Sequence, residues 1–207
     1  MAAARSNVPR KLPRQERSRA TVDTVLDAAA HILVNDGYEG FNTNRVAERA
    51  GVSIGSLYQY FPNKAALLTA LRQRHAQEMS ELVGARTDGA AQASLKQAIE
   101  QVVAGVIEAH RLHPRLHQVL EQEVPRQTQQ ASPTDWEAGL RLQLMGLLAQ
   151  HREQLAVIDL STTSLVLIRL VDALVHAALI PDPQGVPAAA IEGEISTVVW
   201  RYLTGRR

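Results

Sequence analysis

The stretch from Asn42 to Lys64, NTNRVAERAGVSIGSLYQYFPNK, gathers hydroxyls, amides, a lysine and aromatic rings in one short run. Four of the chain's eight aromatic residues lie in it or one step outside: Phe41, Tyr58, Tyr60 and Phe61. These groups donate and accept hydrogen bonds, stack and carry positive charge, which is the chemistry of reading base edges and holding phosphates rather than of breaking bonds. Bond-making chemistry has no foothold in the sequence. There is no Gly-rich phosphate loop, no His-Glu-x-x-His, no Gly-x-Ser-x-Gly and no cysteine nucleophile, and Glu121, Glu123 and Glu137 have no spacing that demands a catalytic pair.

Such residues need a rigid platform, and the same stretch supplies one. A helix is expected from Thr43, whose hydroxyl can accept from an orphan N–H of the first turn. Val46, Ala47 and Ala50 form a narrow apolar face whose small residues allow a second helix to cross closely. Gly51 is the left-handed stop that a helix C-terminus favours. Ser53 follows as the next N-cap, so the turn is short, as a helix-turn-helix requires. The second helix carries Ile54 to Tyr60 with Leu57 pointing inward, Pro62 ends it, and Asn63 caps a third. The pattern predicts one helix placed in the DNA major groove.

Val46-Ala-x-x-Ala50-Gly-Val-Ser-x-Gly55-x-Leu57-Tyr58-x-Tyr60-Phe61-x-Asn63-Lys64 resembles the DNA-binding segment of the TetR family of bacterial transcriptional regulators. The match is dense from about Arg17 to Leu71, and past Met79 only length and helical pattern agree. The resemblance implies that Ile54, Gly55, Ser56, Tyr58 and Gln59 meet bases and that Asn44 adds a base-edge contact. It implies phosphate contacts for Thr43, Tyr60 and Lys64. It also implies a cytoplasmic, nucleoid-associated homodimer on a palindromic double-stranded DNA operator, acting as a repressor released by a small-molecule effector. A DNA-binding protein acting through a protein partner, with no small-molecule ligand, is the alternative.

The net charge of +1 conceals an asymmetry. Residues 1–64 hold nine Lys/Arg against six Asp/Glu, and the first twenty hold six against one. A basic arm over 1–16 suits phosphate contact and minor-groove insertion, and equally suits a solvated tail. The absence of cysteine removes disulfides and thiolate metal ligands. No run approaches the ~20 apolar residues expected of a membrane span, and no partner membrane is expected.

The expected fold is all-α, of about nine helices: an arm, a three-helix DNA-binding domain at 17–64, and a helical ligand-binding and dimerisation domain at 65–207. The first helix runs from about Arg17 to Asn35 on the stripe Val22, Val25, Leu26, Ala29, Ile32 and Leu33, with Tyr38 and Phe41 as core plugs. The helix from Asn63 continues to about Val83, followed by a loop over Gly84–Ala91. Helices follow at Ser94–His113, Pro114–Glu123, Thr134–Leu155 and Thr163–Ile180, with a last one carrying Ile191 to Tyr202. His75, Met79, His110, Trp136 and Met145 are candidate pocket liners, although each also suits a core position. Leu167, Leu170, Leu174, Ile195, Val199 and Tyr202 are candidate dimer contacts, or equally a monomeric core. His113, His117 and Glu121 have a ligand-like i, i+4, i+8 spacing on a polar helix, and neither a metal ion nor a cofactor is expected.

Overall fold

The computed structural model describes residues 16–125, 135–179 and 187–206. Among these are nine α-helices and no strand: α1 Glu16–Gly40, α2 Thr43–Arg49, α3 Ile54–Tyr60, α4 Lys64–Gly89, α5 Leu95–Leu112, α6 Pro114–Gln122, α7 Asp135–Gln150, α8 Leu160–Leu179 and α9 Ala188–Thr204. The all-α fold is therefore as expected. The basic arm, and the loops expected across Pro125–Pro133 and Pro181–Pro187, fall almost wholly outside the described residues.

The described residues divide into two compact units, one within Met1–His75 and Arg115–Ser132, the other within Ala76–Pro114 and Pro133–Arg207. In the first, Val25, Ala29 and Leu33 of α1, Val46 of α2, Leu57 of α3 and Leu67 and Leu71 of α4 bury a common core with Phe41 and Phe61. Leu116, Val119 and Leu120 of α6 join it. The core of the first unit thus extends past Lys64 into α4 and takes in α6. One long helix and two short ones enclose little apolar area, and the missing wall comes from the start of α4 and from α6. Periodicity could show that α6 has an apolar stripe but not which core receives it. Polar ties reinforce the arrangement. Arg72 reaches Glu121 at 2.5 Å and also donates to the Leu120 carbonyl, and Arg74 reaches Asp27 at 2.7 Å.

Inside α1 the backbone leaves helical geometry at Gly37, with φ 66° and ψ −175°. That break, where the sequence places the end of the helix, turns the chain so that Phe41 is buried to 1% exposure. The Glu123 carboxylate, just past α6, accepts from the Tyr38 N–H at 3.2 Å, in space a side chain at position 37 would occupy.

The second unit is built on α5, α7, α8 and α9. Leu95, Ile99, Val103 and Ile107 recur along α5 and pack with Leu148, with Leu167, Val171 and Val175, and with Ile195, Val199 and Leu203. A capping box at Ser94 starts α5, with Gln97 returning to the Ser94 N–H at 3.1 Å. Asp159 starts α8, accepting from the Ser161 N–H at 2.9 Å and the Thr162 hydroxyl at 2.5 Å. The Thr162 hydroxyl above all, then the nearby backbone N–H groups, hold the Asp159 carboxyl below its ordinary range. The loop expected over Gly84–Ala91 is instead helical, with α4 running to Gly89 and a 3-10 turn following at Ala90–Gln92. Thr87 is buried with its hydroxyl on the Val83 carbonyl at 2.9 Å, and a Cβ at Gly84 would meet Gln143 of α7 at 3.2 Å. That glycine serves close helix approach, which composition alone reads as a turn. The helix expected to reach Leu155 ends at Gln150.

Three of the expected dimer contacts are core residues: Leu167, Ile195 and Val199 are each at most 5% exposed. Leu170 and Leu174 are half-buried, and Tyr202 is exposed. The outward apolar side chains of these helices are Leu165 and Val166 on α8 and Val198 and Tyr202 on α9. Contrary to the sequence reading, Leu160–Ala178 is long and apolar enough to cross a bilayer by length and composition. Its Leu167, Val171 and Val175 nevertheless form part of the second unit's core, and a core helix meets the same criterion.

Replacing Gly37 with alanine forces a side chain into a backbone region that is nearly glycine-only and brings it within 2.8 Å of Glu123 Oε2. The expected loss is about 1–3 kcal/mol of stability, read by urea denaturation.

Candidate nucleic-acid interface

Two short helices and the four-residue connection of Ala50, Gly51, Val52 and Ser53 make the site. The N-cap of α2 is Asn42 rather than Thr43, its Oδ1 accepting from the Arg45 N–H at 3.0 Å. The amide occupies the capping position one residue earlier and leaves the Thr43 hydroxyl outward. The far end of α2 closes with both bonds of a Schellman motif: Gly51 N–H to the Glu48 carbonyl at 3.1 Å and Val52 N–H to the Ala47 carbonyl at 3.0 Å. Gly51 has φ 66°, so the residue type and the motif agree. Ser53 then caps α3, its Oγ accepting from the Ser56 N–H at 3.0 Å.

One residue anchors α3. Leu57 has no exposed surface, and its neighbours on the other faces point away from the protein. Ile54 and Tyr58 are 37% and 42% exposed, and Gln59 is exposed beside them. Gly55 is also exposed, and a Cβ there would meet only Ser53 Oγ, at 3.9 Å. A surface of this kind offers apolar, hydroxyl and amide groups with close backbone approach. Tyr60 is half-buried and packs on the core beneath, while Asn44 stands exposed on the first turn of α2.

The structure joins two residues that sequence reading treated separately. Thr43 Oγ1 and Tyr58 Oη lie 3.1 Å apart, a hydrogen bond across the turn linking the start of α2 to the middle of α3. Ser56 is less free than expected, because its hydroxyl lies 2.8 Å from that of Ser53. Lys64, at the start of α4, donates from Nζ to the Tyr38 carbonyl at 2.7 Å. Its ammonium also sits 3.7 Å from the centre of the Tyr38 ring and 5.6 Å from that of Phe41. Burial there lowers its pKa from the ordinary lysine value, and the charge of Glu39 partly offsets the shift. Lys64 thus ties α4 to the chain leaving α1, a role no local pattern signals. Arg45 is another tie that was missed, reaching Asp36 at 2.8 Å and the Gly40 carbonyl at 3.1 Å.

The five candidate pocket residues are divided between the two units. His75 is a buried core residue of the first unit, its Nε2 3.0 Å from His117 Nδ1. In the second unit, His110 is buried against Asp172, while Met79 and Met145 are half-buried on α4 and α7. The side chain of Trp136 lies outside the described set. An open groove of about 660 Å³ between α5 and α9 is lined instead by Lys96, Ile99, Glu100, Glu192, Ser196 and Trp200 among others. Of the His113, His117 and Glu121 series, His113 lies 3.8 Å from Glu78, His117 faces His75, and Glu121 pairs with Arg72.

Comparison with known proteins decides the family. Residues 25–71 match the model described as bacterial regulatory proteins, tetR family, and residues 94–203 match the tetracyclin repressor-like C-terminal domain. The chain belongs to the TetR family. Members of that family are transcriptional regulators and not enzymes. The HTH-type transcriptional repressor KstR of Mycolicibacterium smegmatis is 41% identical over 76 residues, 37% of this chain and 35% of its own length. The HTH-type transcriptional repressor DrrR1 of Streptomyces coeruleorubidus is 34% identical over 110 residues, 53% of this chain and 39% of its own. The match thus spans little more than a third of these curated relatives. A TetR-family transcriptional regulator from Streptomyces coelicolor superposes with a TM-score of 0.61 at 27% identity, covering 88% of this chain and 96% of that one.

The Thr43–Tyr58 contact gives this TetR-family head a direct test. In a double-mutant cycle of Thr43→Val and Tyr58→Phe, stability should show a coupling of about 0.5–1 kcal/mol. Additive effects would mean that the two hydroxyls do not bond in solution.

Proposed function

We propose that this regulator is a ligand-responsive repressor that binds a palindromic operator as a homodimer and is released by a small-molecule effector. The observation that carries the DNA reading is the outward face of α3. Ile54, Gly55, Tyr58 and Gln59 stand free of the core on a helix whose start is capped and whose one inward residue is buried. On this reading Gln59 and the exposed Asn44 use their amides on base edges, and Ile54 meets a thymine methyl or a sugar. Ser56 contributes while sharing its hydroxyl with Ser53. Thr43 and Tyr60 contact the backbone, as does Lys64 through the ammonium hydrogens not spent on Tyr38. Repression is the reading because both KstR and DrrR1 are named repressors. The site of action is the nucleoid in the cytoplasm.

Dimerisation is supported by the apolar side chains α8 and α9 leave outward: Leu165, Val166, Val198 and Tyr202. A helix with a second apolar face seeks a second partner, and a copy of the same pair supplies one by two-fold symmetry. Two heads then meet half-sites about one DNA turn (~34 Å) or a multiple apart. Because α4 contributes residues to both units, an effector bound in the second unit can act on the head through it. Linkage requires DNA and effector to weaken each other's binding by the same free energy.

Band-shift titration against the DNA upstream of the gene tests the reading, with a palindromic site as the expected target. Lys64→Ala should weaken binding and reduce the slope of log K against log salt by about one. An unchanged slope would assign Lys64 to the Tyr38 tie alone. Val198→Asp, at a position 42% exposed, should leave the fold intact by circular dichroism and shift the protein to monomer in sedimentation. A variant that remains dimeric would place the interface elsewhere.

A further inference from the structure

Within the second unit, three potential ligand side chains converge where α5 meets α8. His110 Nε2 lies 3.4 Å from Asp172 Oδ1, and His176 Nε2 lies 3.7 Å from the same oxygen. The two imidazole rings stand edge to face with centroids 4.9 Å apart, and their ring nitrogens come within 4.8 Å of each other. Asp172 and His176 are one helical turn apart on α8, so a single helix presents both on one side. His110 comes from the last turn of α5 and is 3% exposed.

The tautomer of His110 sets the chemistry. Its Nδ1 lies 2.8 Å from the Val106 carbonyl. A carbonyl only accepts, so Nδ1 carries the hydrogen, and in the neutral ring Nε2 presents a lone pair toward the Asp172 carboxylate. An imidazole lone pair and a carboxylate oxygen at this spacing are both ligand groups for a cation. A proton on the ring serves one nitrogen, whereas a metal ion serves both imidazoles and the carboxylate together. An ion held at ~2.0–2.1 Å in tetrahedral geometry separates its ligand atoms by about 3.4 Å, close to the two spacings seen here. The Nδ1–H to carbonyl bond is also the outer contact that orients a metal-binding histidine and raises its basicity.

From this arrangement we propose that His110, Asp172 and His176 form a binding site for one divalent transition-metal ion of the zinc class. Two imidazoles and one carboxylate favour zinc, cobalt or nickel over magnesium or calcium, which take oxygen ligands. Asp172 and His176 are only partly buried, so the trio has a route to solvent and a coordination position open to water or a ligand. The sequence reading, which expected no metal ion, had no means of joining a histidine of α5 to a pair on α8. The ion would cross-link those two helices. The proposal does not depend on the repressor reading.

The test uses the full-length protein, stripped with chelator and titrated with cobalt chloride while visible absorption is followed, then back-titrated with zinc chloride. One ion per chain is expected, with a d–d band that zinc abolishes and a melting temperature that rises with zinc concentration. Asp172→Asn and His176→Gln, both at partly exposed positions, should stay folded by circular dichroism and lose at least ~10-fold in affinity. His113→Gln, on an exposed histidine outside the trio, should bind as the parent does. Absence of cobalt absorption in the parent protein would overturn the proposal, as would equal affinity in Asp172→Asn and His176→Gln. Loss of binding in His113→Gln would do the same, by moving the site away from these residues.

Discussion

A seven-residue helix does not persist in water on its own, because nucleation costs more than so few hydrogen bonds return. The helix α3 exists because Leu57 is driven completely into a core formed by α1, α2, α4 and α6. The caps at its start, the Schellman turn before it and Phe61 at its end all fix the one orientation in which Leu57 faces inward. Once that is settled, the direction of Ile54, Tyr58 and Gln59 follows from helical geometry alone. The recognition surface is the far side of a packing solution.

The same economy appears in the polar ties of the first unit. Lys64 holds the Tyr38 carbonyl, Glu123 holds the Tyr38 N–H, and Gly37 opens the space in which the second of these bonds forms. The segment past the Gly37 break therefore satisfies its backbone from α4 and from the end of α6, which explains why so small a head carries Phe41 and Tyr38 in fixed positions. Individually these contacts are modest, since exposed charge pairs contribute little. Their effect lies in specifying one arrangement of elements that touch each other over limited area.

The second unit follows a different principle. Its core residues recur at four-residue intervals on α5 and α8, and His110 at the end of α5 and His176 on α8 both approach Asp172. On α8 one face packs inward through Leu167, Val171 and Val175, while Leu165 and Val166 stay outward. That division accounts both for a hydropathy high enough to resemble a membrane span and for the proposal of a second copy as its cover.

Local chemistry was legible in the sequence wherever one segment decides its own outcome. The turn of Gly51 and Ser53, the inward Leu57, the Asn63 cap, the all-α fold and the TetR-like motif all depend on residues within a few positions of one another. Long-range partnership was not legible. That α6 completes the first core, that Gly84 admits α7 in place of making a loop, that Leu167 and Val199 are core, and that His110 meets Asp172 and His176 are each settled by side chains far apart in the chain. An apolar stripe states that a helix face must be covered but leaves the cover unnamed, because burial is nearly indifferent to which apolar partner provides it. Tertiary packing made that choice, and with it decided which polar groups came to face one another.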